Sequence, residues 1–156
     1  MTYDPSIEQL WKRFSSNFKD KDDLPVSYQF VFRFGDTKEL CEELMRLVLE
    51  RKKTATAYSP WFFEHDRLPI PQAGDYSIVT DWEGTARFII RSLQTHIMPF
   101  VEVNEEFVRK EGEGDLSLAY WRKAHEAYFT RECLRTGHIF SYQMPVFCEV
   151  FQVVYE

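Results

Sequence analysis

The sequence predicts an α+β fold in which a small mixed β-barrel is flanked by helices. Its 156 residues suit one domain, since single domains commonly hold about 100–150 residues. The apolar pattern alternates between helical and two-residue rhythms in the order α-β-α-β-β-β-α-β, and such an order packs as a sheet under helical cover. Fourteen Phe, eight Tyr and four Trp supply the rings for its core. A chain of this length buries roughly 70% of its unfolded surface, so no metal or disulfide is needed to hold that core.

The elements follow in order. Ile7, Leu10, Trp11, Phe14 and Phe18 fall on one helical face after Pro5, which predicts a first helix over 5–18. Lys19–Asp23 reads as a charged linker ending at Pro25, and residues 26–34, rich in β-formers, predict a strand stopped by Gly35. Asp36 and Glu39 have capping-box spacing for a second helix with Leu40, Cys41, Leu44, Leu47 and Val48 as its core face. Arg51-Lys52-Lys53 falls at the end of that helix, where cations complement its dipole. Residues 54–57 then turn extended, and 60–67 form a short helix or an aromatic loop. Turns over 69–75 lead to strands at 76–80 and 85–97, joined across 81–84. A short acidic helix is expected over 102–109. Two glycines, each costing about 1 kcal/mol within a helix, make 111–115 a loop. Ser117 as N-cap and Gly137 as stop bound a long amphipathic helix over 118–135, and 146–154 is the closing strand. Residues 1–24 thus read as a helical extension packed on a domain spanning 25–156.

Composition narrows the function. Cys41, Cys133 and Cys148 lie far apart without a CxxC or a nearby histidine pair, which suits reduced thiols. The first ten residues lack the apolar core of a secretory signal, and no apolar run approaches the ~20 residues of a membrane span. A cytoplasmic protein without a membrane partner is the expectation. A net charge of −6 argues against tight, nonspecific phosphate binding and shifts weight toward a small ligand. Nothing in the sequence favours DNA as a partner. His65, His96, His125 and His138 lack zinc spacing, and no phosphate-binding glycine loop or dinucleotide fingerprint is present, so neither metal nor cofactor is expected.

Two segments could carry chemistry. If the chain after Lys53 is extended, Thr54 and Thr56 share a face and could converge with an ammonium group. The plainer reading is a basic helix end followed by a Thr-rich strand. Glu111, Glu113 and Asp115 form a glycine-spaced carboxylate cluster, suited to acid–base work, or else to a solvated loop before the long helix. His125, between Trp121 and Phe129 on one helix face, could line a pocket, though a histidine packed among aromatics reads more simply as structural.

Together these segments resemble the ASCH domain family. Arg51-Lys52-Lys53-Thr54-Ala55-Thr56 is similar to its G-x-K-x-x-T motif, and residues 111–121 resemble the E-G-E-G-D-x-S-L-x-x-W stretch of larger bacterial members. The P-x-x-G-D-x-S-I-V pattern of Pro71–Val79 and the tail from Met144 to Val154 fit as well. The resemblance implies a PUA-like mixed β-barrel related to RNA-binding modules, with a cleft beside the lysine. For one branch it implies an amidohydrolase acting on N4-acetylcytidine. Carried over by motif position, the catalytic set is Lys53, Thr56 and Glu111. Lys53 would deprotonate Thr56 for attack on the acyl carbon, while Glu111, or Glu113, protonates the leaving amine. Arg51, Thr54, Tyr58, Trp61 and Glu113 are the expected ligand-binding residues. Two positions depart from the pattern: Arg51 replaces the motif glycine, and Tyr58 stands where small amidohydrolases carry arginine. The partner is then a modified nucleoside, with an RNA-binding or ribonucleolytic module as the alternative.

Overall fold

A computed structural model of the chain describes residues 3–18, 22, 25 and 27–156. Helix α1 (Pro5–Ser15) starts where the Asp4 carboxylate accepts from the Ser6 N–H, and it buries Ile7, Leu10, Trp11 and Phe14. The expected linker over 19–23 lies outside the described residues apart from Asp22. Strand β1 (Phe30–Phe32) is much shorter than the strand expected from 26, whose first residue is likewise outside them. Helix α2 (Lys38–Leu49) is capped by Thr37, whose hydroxyl accepts from the Leu40 N–H. Asp36, expected as the cap, is instead bound by Arg131. Strand β2 (Ala55–Tyr58), helix α3 (Pro60–His65) and strands β3 (Tyr76–Thr80) and β4 (Ala86–Pro99) follow. A single 3₁₀ turn (Phe100–Glu102) then leads to α4 (Glu105–Glu111), α5 (Leu118–Arg135) and β5 (Pro145–Tyr155).

The five strands form one mixed sheet in the order β1-β3-β4-β5-β2, with only β1 and β3 parallel. The α+β class holds, but the sheet does not close into the expected barrel. Its edges, β1 and β2, share no backbone pairing among the described residues. Side chains fill the interval instead: the Phe32 and Tyr58 rings lie 6.1 Å apart, and Phe30, Phe63 and Phe147 pack beside them. Hydrogen-bonded strands sit about 4.8 Å apart, so a layer of rings holds these two beyond pairing distance.

Successive strand residues face opposite sides, and the helices divide accordingly. Ile78 and Ile89 pack under α1, whereas Val79, Phe88 and Ile90 face the α2 residues Leu44, Leu47 and Val48. Ala55, Ala57, Val146 and Cys148 join Phe107, Trp121 and Phe129 of α4 and α5. Helix α5 is less evenly amphipathic than expected, since Leu134 and Tyr120 on it stay exposed. On the other face of β2, Thr56 and Tyr58 are left to line a cavity.

Candidate functional site

Helix α2 ends in a turn that aims Lys53 inward. Glu50 caps the helix, Arg51 takes a left-handed φ of 62°, and the N–H groups of Lys52 and Lys53 both donate to the Leu47 carbonyl. The other half of the site comes from α4. Glu111 is that helix's last residue, not part of a loop as expected, because Gly112 supplies the left-handed cap at φ 69°. Gly112 also permits a close approach: a Cβ there would overlap the Lys52 carbonyl. The Thr54 N–H donates to the Lys110 carbonyl at 2.7 Å and ties the two segments together.

This stitching brings the Lys53 ammonium to Glu111 Oε2 at 2.6 Å and to Glu113 Oε2 at 3.1 Å. Its third donor goes to the Ala55 carbonyl at 2.8 Å. Lys53 and Glu111 are 2% and 1% exposed, so two opposite charges sit almost wholly out of water. Glu111 Oε1 accepts from the Trp121 indole N–H at 3.0 Å and lies 3.3 Å from His125 Nε2. The His125 ring stacks on Trp121 at 4.1 Å, and its Nδ1 lies 2.9 Å from the Trp121 carbonyl. A carbonyl only accepts, so Nδ1 carries a proton, and Nε2 faces a carboxylate. Both nitrogens thus face acceptors, an arrangement that favours the imidazolium form.

The two carboxylates differ sharply. Burial alone would raise Glu111, but Lys53 and His125 outweigh it and hold the group well below the ordinary carboxylate range. Burial, helped by the Glu111 charge and opposed by Lys53, pushes Glu113 up to about 7. Burial would lower Lys53 and His125, yet the carboxylates facing them raise both. Glu111 is the fixed anion of the site, and Glu113 is the group that exchanges a proton near neutrality.

Beside this cluster lies a cavity of about 140 Å³, bounded by β2, α5 and the β1–α2 loop. Lys53, Thr56, Tyr58, Glu111, Glu113 and His125 all line it. A cavity near 150 Å³ is enough to admit benzene, so this one has room for a single ring. The Tyr58 hydroxyl is buried on the same face of β2 as Thr56. Glu111, Glu113 and His125 could offer a metal ion three donors within 4.8 Å, but the Lys53 ammonium already occupies the cation position between the carboxylates.

Of the residues expected from sequence, Lys53, Thr56, Tyr58, Glu111 and Glu113 come together. Arg51, Thr54 and Trp61 do not line this cavity. Arg51 pairs with Glu156 at 2.8 Å, the Thr54 hydroxyl donates to the Lys110 carbonyl, and Trp61 stacks on His138 at 3.9 Å. Because β2 begins only at Ala55, the two threonines part instead of sharing a face. None of the Lys53 hydrogen bonds goes to Thr56. Of the two readings of His125, the pocket-lining one holds, since it borders the cavity and faces Glu111. Sequence reasoning misses Glu149, a carboxylate within the apolar run Val146–Phe151, directly opposite Thr56 in the β2–β5 ladder. Glu149 is buried, and burial pushes it up to about 7.

The ASCH domain family matches residues 30–155. The chain belongs to that family. It is similar to the ASCH domain of Lactobacillus crispatus JV V101 at 27% identity and a TM-score of 0.89, covering 100% of this chain and 98% of that one. Protein EF3133 of Enterococcus faecalis V583 is 31% identical, with a TM-score of 0.84 over 96% of this ASCH chain and 88% of its own. The hypothetical protein PH0355, 16% identical with a TM-score of 0.55 over 80% and 98%, shares the fold. No curated protein matches the chain.

Proposed function

We propose that this ASCH domain takes the base of a modified nucleoside into the cavity and hydrolyses an amide on its exocyclic nitrogen, with N4-acetylcytidine as the model substrate. The observation that carries the reading is the single-ring cavity whose wall holds both a hydroxyl, Thr56, and a carboxylate that changes protonation near pH 7, Glu113. A base works best when its pKa lies near the working pH. Lys53 donates three hydrogen bonds and so is better suited to hold negative charge than to take up a proton.

In the proposed reaction Thr56 Oγ1 attacks the acyl carbon and its proton passes to Glu113. Lys53 exchanges one of its present acceptors for the carbonyl oxygen and stabilises the negative charge that develops there. The C–N bond then breaks, and Glu113 returns the proton to the departing ring amine. Water, deprotonated by the same carboxylate, attacks the threonine ester, and Glu113 gives that proton to Thr56 Oγ1 as it leaves, so a carboxylic acid is released after cytidine and both residues return to their starting state. Glu111 keeps Lys53 charged and in place, and the Tyr58 ring lines the wall against which the base lies.

The test is to follow cytidine release from N4-acetylcytidine and to trap the threonine ester by acid quench and mass spectrometry. Wild-type protein should release cytidine and carry the acyl group on Thr56, and Thr56→Val should do neither. A second reading, base recognition without turnover, draws on the lack of a hydrogen bond between Lys53 and Thr56. It predicts N4-acetylcytidine binding with no cytidine released.

A further inference from the structure

Strand β4 has a neighbour on both sides along only part of its length. Strand β3 pairs with it from Ala86 to Arg91. The last link on that side is Ser92, whose N–H donates to the Asp75 carbonyl and whose carbonyl accepts from the Gly74 N–H, each at 2.8 Å. From Gln94 to Pro99 the strand pairs with β5 alone, and no further backbone bond reaches it among the described residues. The ladder fixes which groups face the free edge. The Phe100 N–H donates to the Met144 carbonyl, so the alternate residues Gln94, His96 and Met98 also turn their peptide groups toward β5. Thr95 and Ile97 turn theirs away from it. A register shift between Ser92 and Gln94 bounds this stretch on one side, and Pro99 bounds it on the other.

The stretch is open and unguarded. Leu93 and Ile97 are exposed apolar residues, and Gln94 and His96 are exposed with them. Strand edges are ordinarily blunted by charged side chains, above all lysine. From Ser92 to Val101 there is no Asp, Glu, Lys or Arg. A foreign peptide on a strand edge draws its specificity from pockets for alternate side chains. Residues 92–99 line neither the site cavity nor the cleft beside Arg51. A second copy needs no such pockets. A two-fold axis at His96 sets Thr95 against Ile97 of the second copy, and Ile97 against its Thr95, so the outward peptide groups of both chains are answered. These β-branched side chains favour strand pairing. Each copy carries −6, but this uncharged stretch brings no like charges together.

We propose that two copies of this chain pair antiparallel along residues 94–98 of β4, joining their sheets across a two-fold axis at His96. An interface this short makes a weak dimer. The pairing is independent of what the cavity binds.

The test combines sedimentation with cysteine cross-linking. The wild-type mass should climb from monomer toward dimer as the chain is concentrated from about 1 μM to 1 mM. His96→Glu places like charges directly opposite each other and should hold the protein at monomer mass, whereas the neutral His96→Gln should keep the dimer. On mild oxidation His96→Cys should link two copies, because opposed residues of this kind have Cα atoms about 4.5 Å apart, within disulfide reach. Gln94→Cys should not, since its equivalent would lie about 13 Å further along the strand. The native Cys41, Cys133 and Cys148 are buried and stay out of the reaction. Because positions 94 and 96 are exposed, all the variants should melt as the wild type does at low concentration. A wild-type chain that stays monomeric throughout leaves the edge to a strand of another protein and overturns the proposal. A dimer that His96→Glu does not weaken, or a cross-link at position 94 in place of 96, overturns it as well.

Discussion

At Lys53 an ammonium group and two carboxylates share a largely buried space, and the charges hold one another in place. Removing one partner from such a buried set costs about 3–5 kcal/mol, because the remaining charge stays desolvated. Lys53→Met should therefore lower stability by that amount in denaturant titrations, and Lys53→Met/Glu111→Gln should recover much of it. Glu149 makes the opposite kind of prediction. Its folded pKa, about 7, lies above its unfolded value, so the folded chain binds more protons between about 4.5 and 7. Stability from this group is present at low pH and is lost as pH rises through 7. Glu149→Gln should flatten the decline in unfolding free energy between pH 5 and 8. The pair Lys53 and Glu111 is legible in the sequence because motif residues mark both ends. Which carboxylate carries the proton is not, since that depends on His125 and Trp121, neighbours on α5 that only folding brings against Glu111.

Elements position these residues through their ends. The turn after α2 and the cap of α4 meet at Gly112, where the backbone is left-handed and the Lys52 carbonyl leaves no room for a side chain. Gly112→Ala should cost about 1–3 kcal/mol from the backbone alone, with the steric overlap adding to it. Because it pushes the two segments apart, it should also lower substrate turnover, measured alongside the melt. Gly114 acts nearby in the same way, since a Cβ would overlap the Tyr120 ring. The glycine spacing is visible in the sequence and points to a loop. Helix α4 nonetheless runs up to Glu111, because Asn104 caps its start and a left-handed glycine ends a helix as readily as it forms a loop. Elements with their own period, such as α1, α2 and β3, are legible for the same local reasons. Strand β1 is not, because the apolar run continues past it to Phe34, whose ring packs on Phe32 in the core although the strand ends at Phe32.

The whole molecule is an open sheet with its cavity between the two edges, lined by Phe32 of β1 and by Thr56 and Tyr58 of β2. The order of elements could not reveal that the edges fail to join, because the ring layer between β1 and β2 is a long-range packing result. Closure would have filled the space where Phe32 and Tyr58 now meet. The division of the chain at residue 24 is a proposal with a direct test. A fragment of residues 25–156 would expose the Ile78 and Ile89 surface that α1 covers, and it should melt well below the full chain. Equal melting temperatures would mark α1 as dispensable. Among the described residues, no helix is long and apolar enough to cross a membrane. The proposed function rests on proton exchange at Glu113 inside the cavity. The pH dependence of kcat/KM for N4-acetylcytidine probes that exchange, in wild-type protein and in Glu113→Gln. The wild-type rate should rise through about pH 7 as Glu113 ionises, and the variant should be slower by about 10²–10⁴-fold without that rise. A Glu113→Gln variant with the wild-type rate and pH profile would contradict the assignment.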